Sequence, residues 1–297
     1  MKKITVISGK GGTGKTSITG AFAGLSKNCV MVDCDVDAAN LYLLVAPICE
    51  RKLPEKFIGG KEAVIDRDKC TSCGACIDEC RFDAIEKNVA TSGCVSINPI
   101  FCEGCGLCAR KCPESAIRLI SKTSGEIFIS NTRFGPLVRA RLEAGEGSSG
   151  KLVSLIRKYA SDLAASENAD YIIADGAPGT GCPVIASITG ADIAVIVCEP
   201  TVSGLHDLKR VAALCQKLSA KTAVIINKYD INMEMTDEIE KYSGADGIHR
   251  LGRVSFSRVC GESISEAKTV VEKAPDSLPA EQITAAWQNL ADLLKKL

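Results

Sequence analysis

The sequence predicts a doubly wound, mostly parallel α/β sheet interrupted by a small, internally duplicated, cysteine-rich α+β domain. Three observations predict it. The chain opens on a β-rich run, a glycine loop and an amphipathic helix. It closes on four apolar runs separated by helical stretches. Between the two, one cysteine pattern occurs twice. Strands alternating with helices imply parallel pairing, and near-continuous apolar strands suit a sheet covered on both faces.

Ile4-Thr5-Val6-Ile7 is the first strand, and Ile18, Phe22 and Leu25 recur at helical spacing after the loop. Val30-Met31-Val32 is the second strand and ends in Asp33. The α/β rhythm stops near residue 55 and returns near 123, which sets one α/β domain at 1–55 and 123–297 around an insert at 56–122. Ile127-Phe128-Ile129 reads as a strand and 152–163 as a helix, with a mobile loop at 145–150. The late strands are Tyr171-Ile172-Ile173-Ala174, Ile193-Ala194-Val195-Ile196-Val197, Ala223-Val224-Ile225-Ile226 and Leu251-Gly252-Arg253-Val254. Ile283, Trp287, Leu290, Leu294 and Leu297 form one stripe of a final helix. Its polar face offers only Lys295 and Lys296, so it is expected to pack on the sheet rather than on a membrane.

Of 297 residues, 46% are apolar and 24% charged, which permits a sizeable core and excludes global disorder. Thirty-six basic residues balance 36 acidic ones. No basic surplus points to nucleic acid or to an anionic membrane, and neither is an expected partner. No apolar run reaches the about 18 residues of a membrane span. The N-terminus runs straight into a strand without a signal-peptide core, so a cytoplasmic location is expected. Sixteen cysteines, clustered mostly between Cys70 and Cys112, read as metal ligands in a reducing compartment rather than as disulfides.

Gly9-Lys10-Gly11-Gly12-Thr13-Gly14-Lys15-Thr16, followed by Ser17, fits G-x-x-x-x-G-K-[ST] between a strand and a helix. Glycines let backbone N–H groups turn toward phosphates, and the helix N-terminus adds positive potential. Lys15 is expected on the β- and γ-phosphates and Thr16 on Mg²⁺.

The early Lys10 resembles the deviant Walker A motif of the MinD/ParA/Mrp/nitrogenase-iron-protein superfamily. The resemblance implies a nucleotide-sandwich dimer, homodimeric or formed with a related ATPase, in which Lys10 crosses to the partner's phosphates. It also gives roles to two acidic strand ends. In Val32-Asp33-Cys34-Asp35, Asp33 would organise Mg²⁺ and Asp35 would orient the attacking water. In Ile173-Ala174-Asp175-Gly176-Ala177-Pro178-Gly179, Asp175 would hold Mg²⁺ through water and Gly179 would sense the γ-phosphate. Lys10, Lys15 and Asp35 are then the catalytic set. Asp37 reads equally as a solvated acid or a site residue. Asn227-Lys228-Tyr229-Asp230 has the form of the guanine-reading N-K-x-D tetrapeptide, whereas in MinD-type relatives an Asn at this strand end contacts adenine. The early lysine favours ATP.

Cys-x-x-Cys-x-x-Cys-x-x-x-Cys occurs as Cys70, Cys73, Cys76 and Cys80, and again 32 residues later as Cys102, Cys105, Cys108 and Cys112. Gly74 and Ala84-Ile85 recur as Gly106 and Ala116-Ile117. This is the bacterial ferredoxin spacing, in which the fourth Cys of each run serves the other cluster. One [4Fe–4S] cluster is expected on Cys70, Cys73, Cys76 and Cys112, and a second on Cys80, Cys102, Cys105 and Cys108. Zinc is the competing reading, but zinc sites rarely use such runs. Pro113 follows the second run, whereas Arg81 takes the corresponding place after the first and makes the spot beside Cys80 more polar. Cys94 reads as a small core residue.

Cys29, Cys34, Cys49, Cys198, Cys215 and Cys260 read as buried inert thiols. Cys182 follows the second acidic strand. It reads either as a buried turn residue or, by resemblance to the nitrogenase iron protein, as a bridging cluster ligand or redox thiol. The whole chain resembles MinD-superfamily P-loop ATPases carrying an inserted ferredoxin domain. That implies an ATPase, slow without a partner, in which MgATP gates electron transfer through two [4Fe–4S] clusters to a redox or metallocofactor protein. The alternative is an ATP-dependent assembly or carrier factor for iron–sulfur or mixed-metal cofactors.

Overall fold

A computed structural model describes residues 1–87, 95–143, 146–147 and 149–296. Cys94, Leu297, and positions 145 and 148 of the expected 145–150 loop lie outside the described residues. The elements in chain order are β1 (Lys2–Ser8), α1 (Lys15–Ser26), β2 (Cys29–Asp33), α2 (Leu41–Val45), β3 (Cys49–Ile65), α3 (Ala75–Asp78), β4 (Ile85–Lys87), β5 (Val95–Ile97), α4 (Leu107–Lys111), β6 (Ile117–Thr132) and β7 (Gly135–Leu142). Then follow α5 (Ser149–Ser166), β8 (Tyr171–Pro178), α6 (Cys182–Ile188), β9 (Ile193–Cys198), α7 (Val202–Lys217), β10 (Lys221–Asn227), α8 (Met233–Ala245), β11 (His249–Val254), α9 (Arg258–Ser265), α10 (Val270–Lys273) and α11 (Leu278–Lys295).

The chain divides into two units. The first takes residues 1–53, 127–141 and 149–297; the second takes 54–126 and 142–148. The boundaries read from the sequence, 55/56 and 122/123, fall inside β3 and β6, because those two strands carry the chain from one unit to the other.

In the first unit the sheet order is β11-β10-β9-β1-β8-β2-β7-β6-β3. β1 pairs in parallel with β8 and β9, β2 with β8 and β7, and β10 with β9 and β11. Strand alternation sends side chains to two cores. Ile4, Val6, Met31, Ile173 and Val195 join Phe22 of α1 and Trp287 and Leu290 of α11 on one face. Ile7, Ala194, Ile196, Val224 and Ile226 join Val184 of α6, Leu208 of α7 and Ile239 of α8 on the other. The stripe Ile283, Trp287, Leu290 and Leu294 is buried as expected of a packed helix, with the Trp287 ring 5.2 Å from Phe22 and 5.3 Å from Tyr171. No helix among the described residues is long and apolar enough to cross a membrane.

β7 was not expected. Pro136 and two arginines hide its pattern, yet it pairs with β2 through Met31 and Leu137. The turn before it is held by Arg133, which donates from Nη1 to the Val45 carbonyl (2.6 Å) and from Nη2 to Leu44 (3.1 Å) and Ala267 (2.9 Å). Its Nε and Nη2 also reach the Glu272 carboxylate at 2.6 and 2.9 Å. Replacing Arg133 by Ala takes the guanidinium from three carbonyls and leaves the Glu272 carboxylate with its bonds from Thr269 N and Oγ1. We expect a loss of about 3 kcal/mol in urea unfolding, with Arg133→Lys restoring little, because one ammonium cannot span a forked set of acceptors.

In the second unit, Gly74 (φ 86°) and Gly106 (φ 74°) start α3 and α4 in the left-handed conformation that glycine adopts without strain. β4 and β5 pair antiparallel, Ile85 opposite Ile97. Ala63, Ala84, Ile85, Val95 and Ile117 form a small core with Cys76 and Cys108.

Candidate functional site

The glycine loop leaves β1, and α1 begins at Lys15 after Gly14 (φ 90°). Lys15 is 7% exposed, and its Nζ lies 2.7 Å from Asp175 Oδ1. Thr16 Oγ1 donates to Asp175 Oδ2 at 2.7 Å, and Thr19 Oγ1 to Asp175 Oδ1 at 3.0 Å. Parallel register sets Asp33 of β2 directly beside Asp175 of β8, and both are fully buried. Burial, and then the neighbouring Asp175 charge, push the Asp33 carboxyl up to about 7. Burial alone would lower the Lys15 pKa, but Asp175 raises it above its ordinary value, so the ammonium persists.

Asp33 spends both oxygens on backbone. Oδ1 accepts from Asp35 N (3.1 Å), and Oδ2 accepts from Asn40 N (3.1 Å) and Leu41 N (3.0 Å). It therefore shapes the 34–41 loop. Asp35 is half-buried and lines a cavity of about 370 Å³ with Gly11, Thr13, Lys15, Thr16 and Asn40. Burial, chiefly, raises its pKa. Thr13 Oγ1 is buried in this cavity's wall without a hydrogen-bond partner among the described residues. Asp37 is exposed, as a solvated acid would be. Gly179 (φ 92°) donates its N–H to Ser8 O at 2.9 Å.

Lys10 is held within its own chain. Its Nζ lies 3.2 Å from Glu199 Oε2 and 3.4 Å from Ser203 Oγ. Lys228 Nζ reaches Glu199 Oε1 at 2.5 Å and Gly12 O at 3.2 Å. Burial would raise the Glu199 pKa, but Lys228 and Lys10 hold it below the usual range. Asn227 Nδ2 donates to Thr13 O at 2.7 Å, and Asp230 Oδ1 accepts from Phe256 N at 2.7 Å. The N-K-x-D residues thus brace loops. Asp230 is not among the residues lining the adjoining cavity of about 240 Å³, whose walls include Gly14, Asn227, Phe256 and Cys260.

A methyl group on Gly14 would lie 2.3 Å from Asn227 Nδ2, and φ there is +90°. A methyl group on Gly9 would lie 2.2 Å from Asp207 Cβ. Strain and clash of about 1–3 kcal/mol are expected for Gly14→Ala. The outcome is nucleotide affinity weaker by about 10- to 100-fold in a fluorescent-nucleotide titration.

Sequence reasoning missed Thr19, Asn40 and Glu199. Thr19 sits one helical turn past Lys15. Glu199, like Asp33 and Asp175, follows an apolar strand, so a signal was present.

Eight cysteines of the second unit line two cavities. Cys70, Cys73, Cys76 and Cys112 line one, with Ile65, Val95 and Ile117. Cys80, Cys102, Cys105 and Cys108 line the other, with Ala63, Phe82 and Ile97. Each draws three cysteines from one run and one from the other. Among the described residues, no group of three or more His, Cys, Asp or Glu side chains is placed to hold a metal ion. Backbone N–H groups of Ala63 and Ala116 point at Cys102 Sγ (3.5 Å) and Cys112 Sγ (3.3 Å).

Of the other thiols, burial pushes Cys34 and Cys198 up to about 12 and Cys29 and Cys215 up to about 11, as inert core groups. Cys49 is exposed, not buried, because it begins β3, the last strand in the sheet order. Cys182 is exposed at the start of α6, which corrects the buried-turn reading. Cys260 is partly exposed on the cavity wall.

Residues 4–270 match the family model described as the CobQ/CobB/MinD/ParA nucleotide binding domain. An uncharacterized protein of Methanocaldococcus jannaschii is 42% identical over 233 residues, 77% of this chain and 79% of that one. The Xenopus tropicalis cytosolic Fe-S cluster assembly factor nubp2 is 24% identical over 155 residues, 47% of this chain and 57% of that one. Among solved structures, Pyrococcus horikoshii MinD with Mg-ADP superposes with a TM-score of 0.59 at 17% identity, covering 99% of this chain and 97% of that one. Pyrococcus furiosus MinD gives 0.58 at 17%, covering 98% and 99%.

Proposed function

The chain belongs to the CobQ/CobB/MinD/ParA nucleotide-binding domain family and is a P-loop ATPase, and from that premise we propose that MgATP gates electron transfer through two [4Fe–4S] clusters. The residues fit the nucleotide. Gly12 and Gly14 turn the loop, Lys15 stands ready for phosphate charge, and the orphan Thr13 hydroxyl awaits an acceptor. Thr16 and Asp175 offer a hard cation oxygen ligands, and bound Mg²⁺ would neutralise phosphate charge. Asp35 lies on the phosphate cavity, where it can orient water. Lys10 must leave Glu199 to act on phosphate, and in this reading it does so in a dimer, across the interface. The tie of Asp230 to Phe256 favours adenine over guanine.

The observation that carries the reading is the crossed grouping of eight cysteines around two cavities. Thiolates suit iron–sulfur clusters, which supply one-electron chemistry when bound. The test is an anaerobic EPR redox titration of the reconstituted chain with and without MgATP. A shift of about 60 mV, roughly 1.4 kcal/mol for a one-electron couple, is expected. Two reducible clusters with unmoved potentials would overturn the gating.

The partial similarity to a Fe-S assembly factor favours a second reading, ATP-dependent cluster transfer to an apo-protein. Mrp-type carriers use a C-terminal Cys-x-x-Cys pair, and this chain has only Cys260 there. Labile iron passing to an apo-ferredoxin would support transfer.

A further inference from the structure

The two cysteine cavities are related by the 32-residue repeat but not by charge. A methyl group placed on Gly74, in the loop between Cys73 and Cys76, would lie 3.5 Å from Lys87 Nζ and 3.4 Å from its Cε. The same construction on Gly106, between Cys105 and Cys108, meets Leu119 Cδ1 at 3.0 Å. Lys87 and Leu119 are themselves 32 residues apart and hold the third place of β4 and of β6. One loop is therefore overlaid by an ammonium and its twin by a hydrocarbon. Among the described residues, no carboxylate pairs with Lys87.

The carboxylates that line the two cavities lean the same way. Glu79 and Glu103 line the cavity of Cys80, Cys102, Cys105 and Cys108, whereas Glu114 is the one carboxylate on the other. Glu79 is partly offset by Lys111 at 3.3 Å. Arg81, which the sequence suggested would make the Cys80 side more polar, lies over the Phe82 ring, 5.4 Å from its centroid. Neither it nor the exposed Lys87 lines either cavity, but Lys87 lies against the Gly74 loop between two of the cysteines.

We propose that Lys87 makes the two sites inequivalent, so that the group held by Cys70, Cys73, Cys76 and Cys112 has the higher potential and is reduced first. The assignment rests on the iron–sulfur reading above. Each site takes one electron from an external one-electron reductant, with no proton moved and no bond made or broken. The added electron deepens a negative charge, which a nearby ammonium stabilises and nearby carboxylates oppose.

The test is a dithionite titration of the full reconstituted chain followed by EPR. A Cys105→Ser chain, retaining the first site alone, identifies its signal. Lys87→Leu is expected to lower that potential, shifting the electron's distribution between the sites by about threefold, roughly 28 mV at 59 mV per tenfold. Leu119→Lys is expected to raise the other by a similar amount. Both variants should keep the full iron content. Two intact clusters whose potentials ignore Lys87→Leu, or a shift confined to the Cys105 site, would overturn the Lys87 assignment alone. A wild-type chain unable to hold two clusters would overturn the iron–sulfur reading and this inference with it.

Discussion

A Lys15→Ala chain is expected to lose ATP hydrolysis to background and about 3 kcal/mol of stability, the low end for breaking a buried ion pair, since the cavity admits water. The reason lies in the register. Asp33 and Asp175 stand side by side on two parallel strands, both fully buried, and Lys15 is the cation paired with Asp175 and felt by Asp33. The pH dependence separates charge from packing. A carboxyl raised from its ordinary value near 4 to about 7 destabilises the fold progressively as pH rises through that interval. Lys15 restrains the rise, so its loss widens the window. The gap in Tm between wild type and variant should therefore grow from pH 5 to pH 8. A constant gap would point to packing instead.

The second large effect concerns pairs of cysteines. If each cluster takes its fourth ligand from the other run, a Cys80→Ser/Cys102→Ser chain loses one cluster, and iron falls from about eight atoms to about four. A Cys70→Ser/Cys80→Ser chain, although its second run is intact, is expected to lose both. Iron and sulfide analysis with EPR spin counting distinguishes them. Retention of one full cluster in the second variant would mean that each run serves itself, against the way the cavities group the thiols.

Much of the sheet was legible. The first strand, glycine loop and helix carry strong local signals, and β8 to β10 are apolar runs whose burial on both faces leaves little alternation to misread. β7 was not legible, because Pro136, Arg139 and Arg141 spoil the pattern while Arg139 pairs with Glu50 and stacks on Phe128 and Tyr42. Lys10 was visible as a site residue, but its tie to Glu199, 189 positions away, is a product of topology. In the N-K-x-D tetrapeptide the sequence could not show the second bonds its residues make: Asn227 lines the cavity beside Gly14 and also holds Thr13 O, and Asp230 holds Phe256 N. Exposure of Cys49 was misread because apolar neighbours in sequence do not report which side of an element faces solvent, and the buried-turn alternative for Cys182 failed because its place after an acidic strand does not fix how the next helix begins.

The second unit is built from two stretches, 54–126 and 142–148. The shorter one is tied to the longer by Glu143 N donating to Ser124 O at 2.9 Å and by the Lys122–Glu146 ion pair at 2.7 Å. For protein engineering this means the cysteine-rich portion is not a single-cut cassette. A graft of 54–126 onto another scaffold would arrive without its clasp, and a deletion of the same span would strand Glu143 and Glu146, whose bonds close it. Swapping this module between related ATPases requires four splice junctions, near 53/54, 126/127, 141/142 and 148/149, moved together.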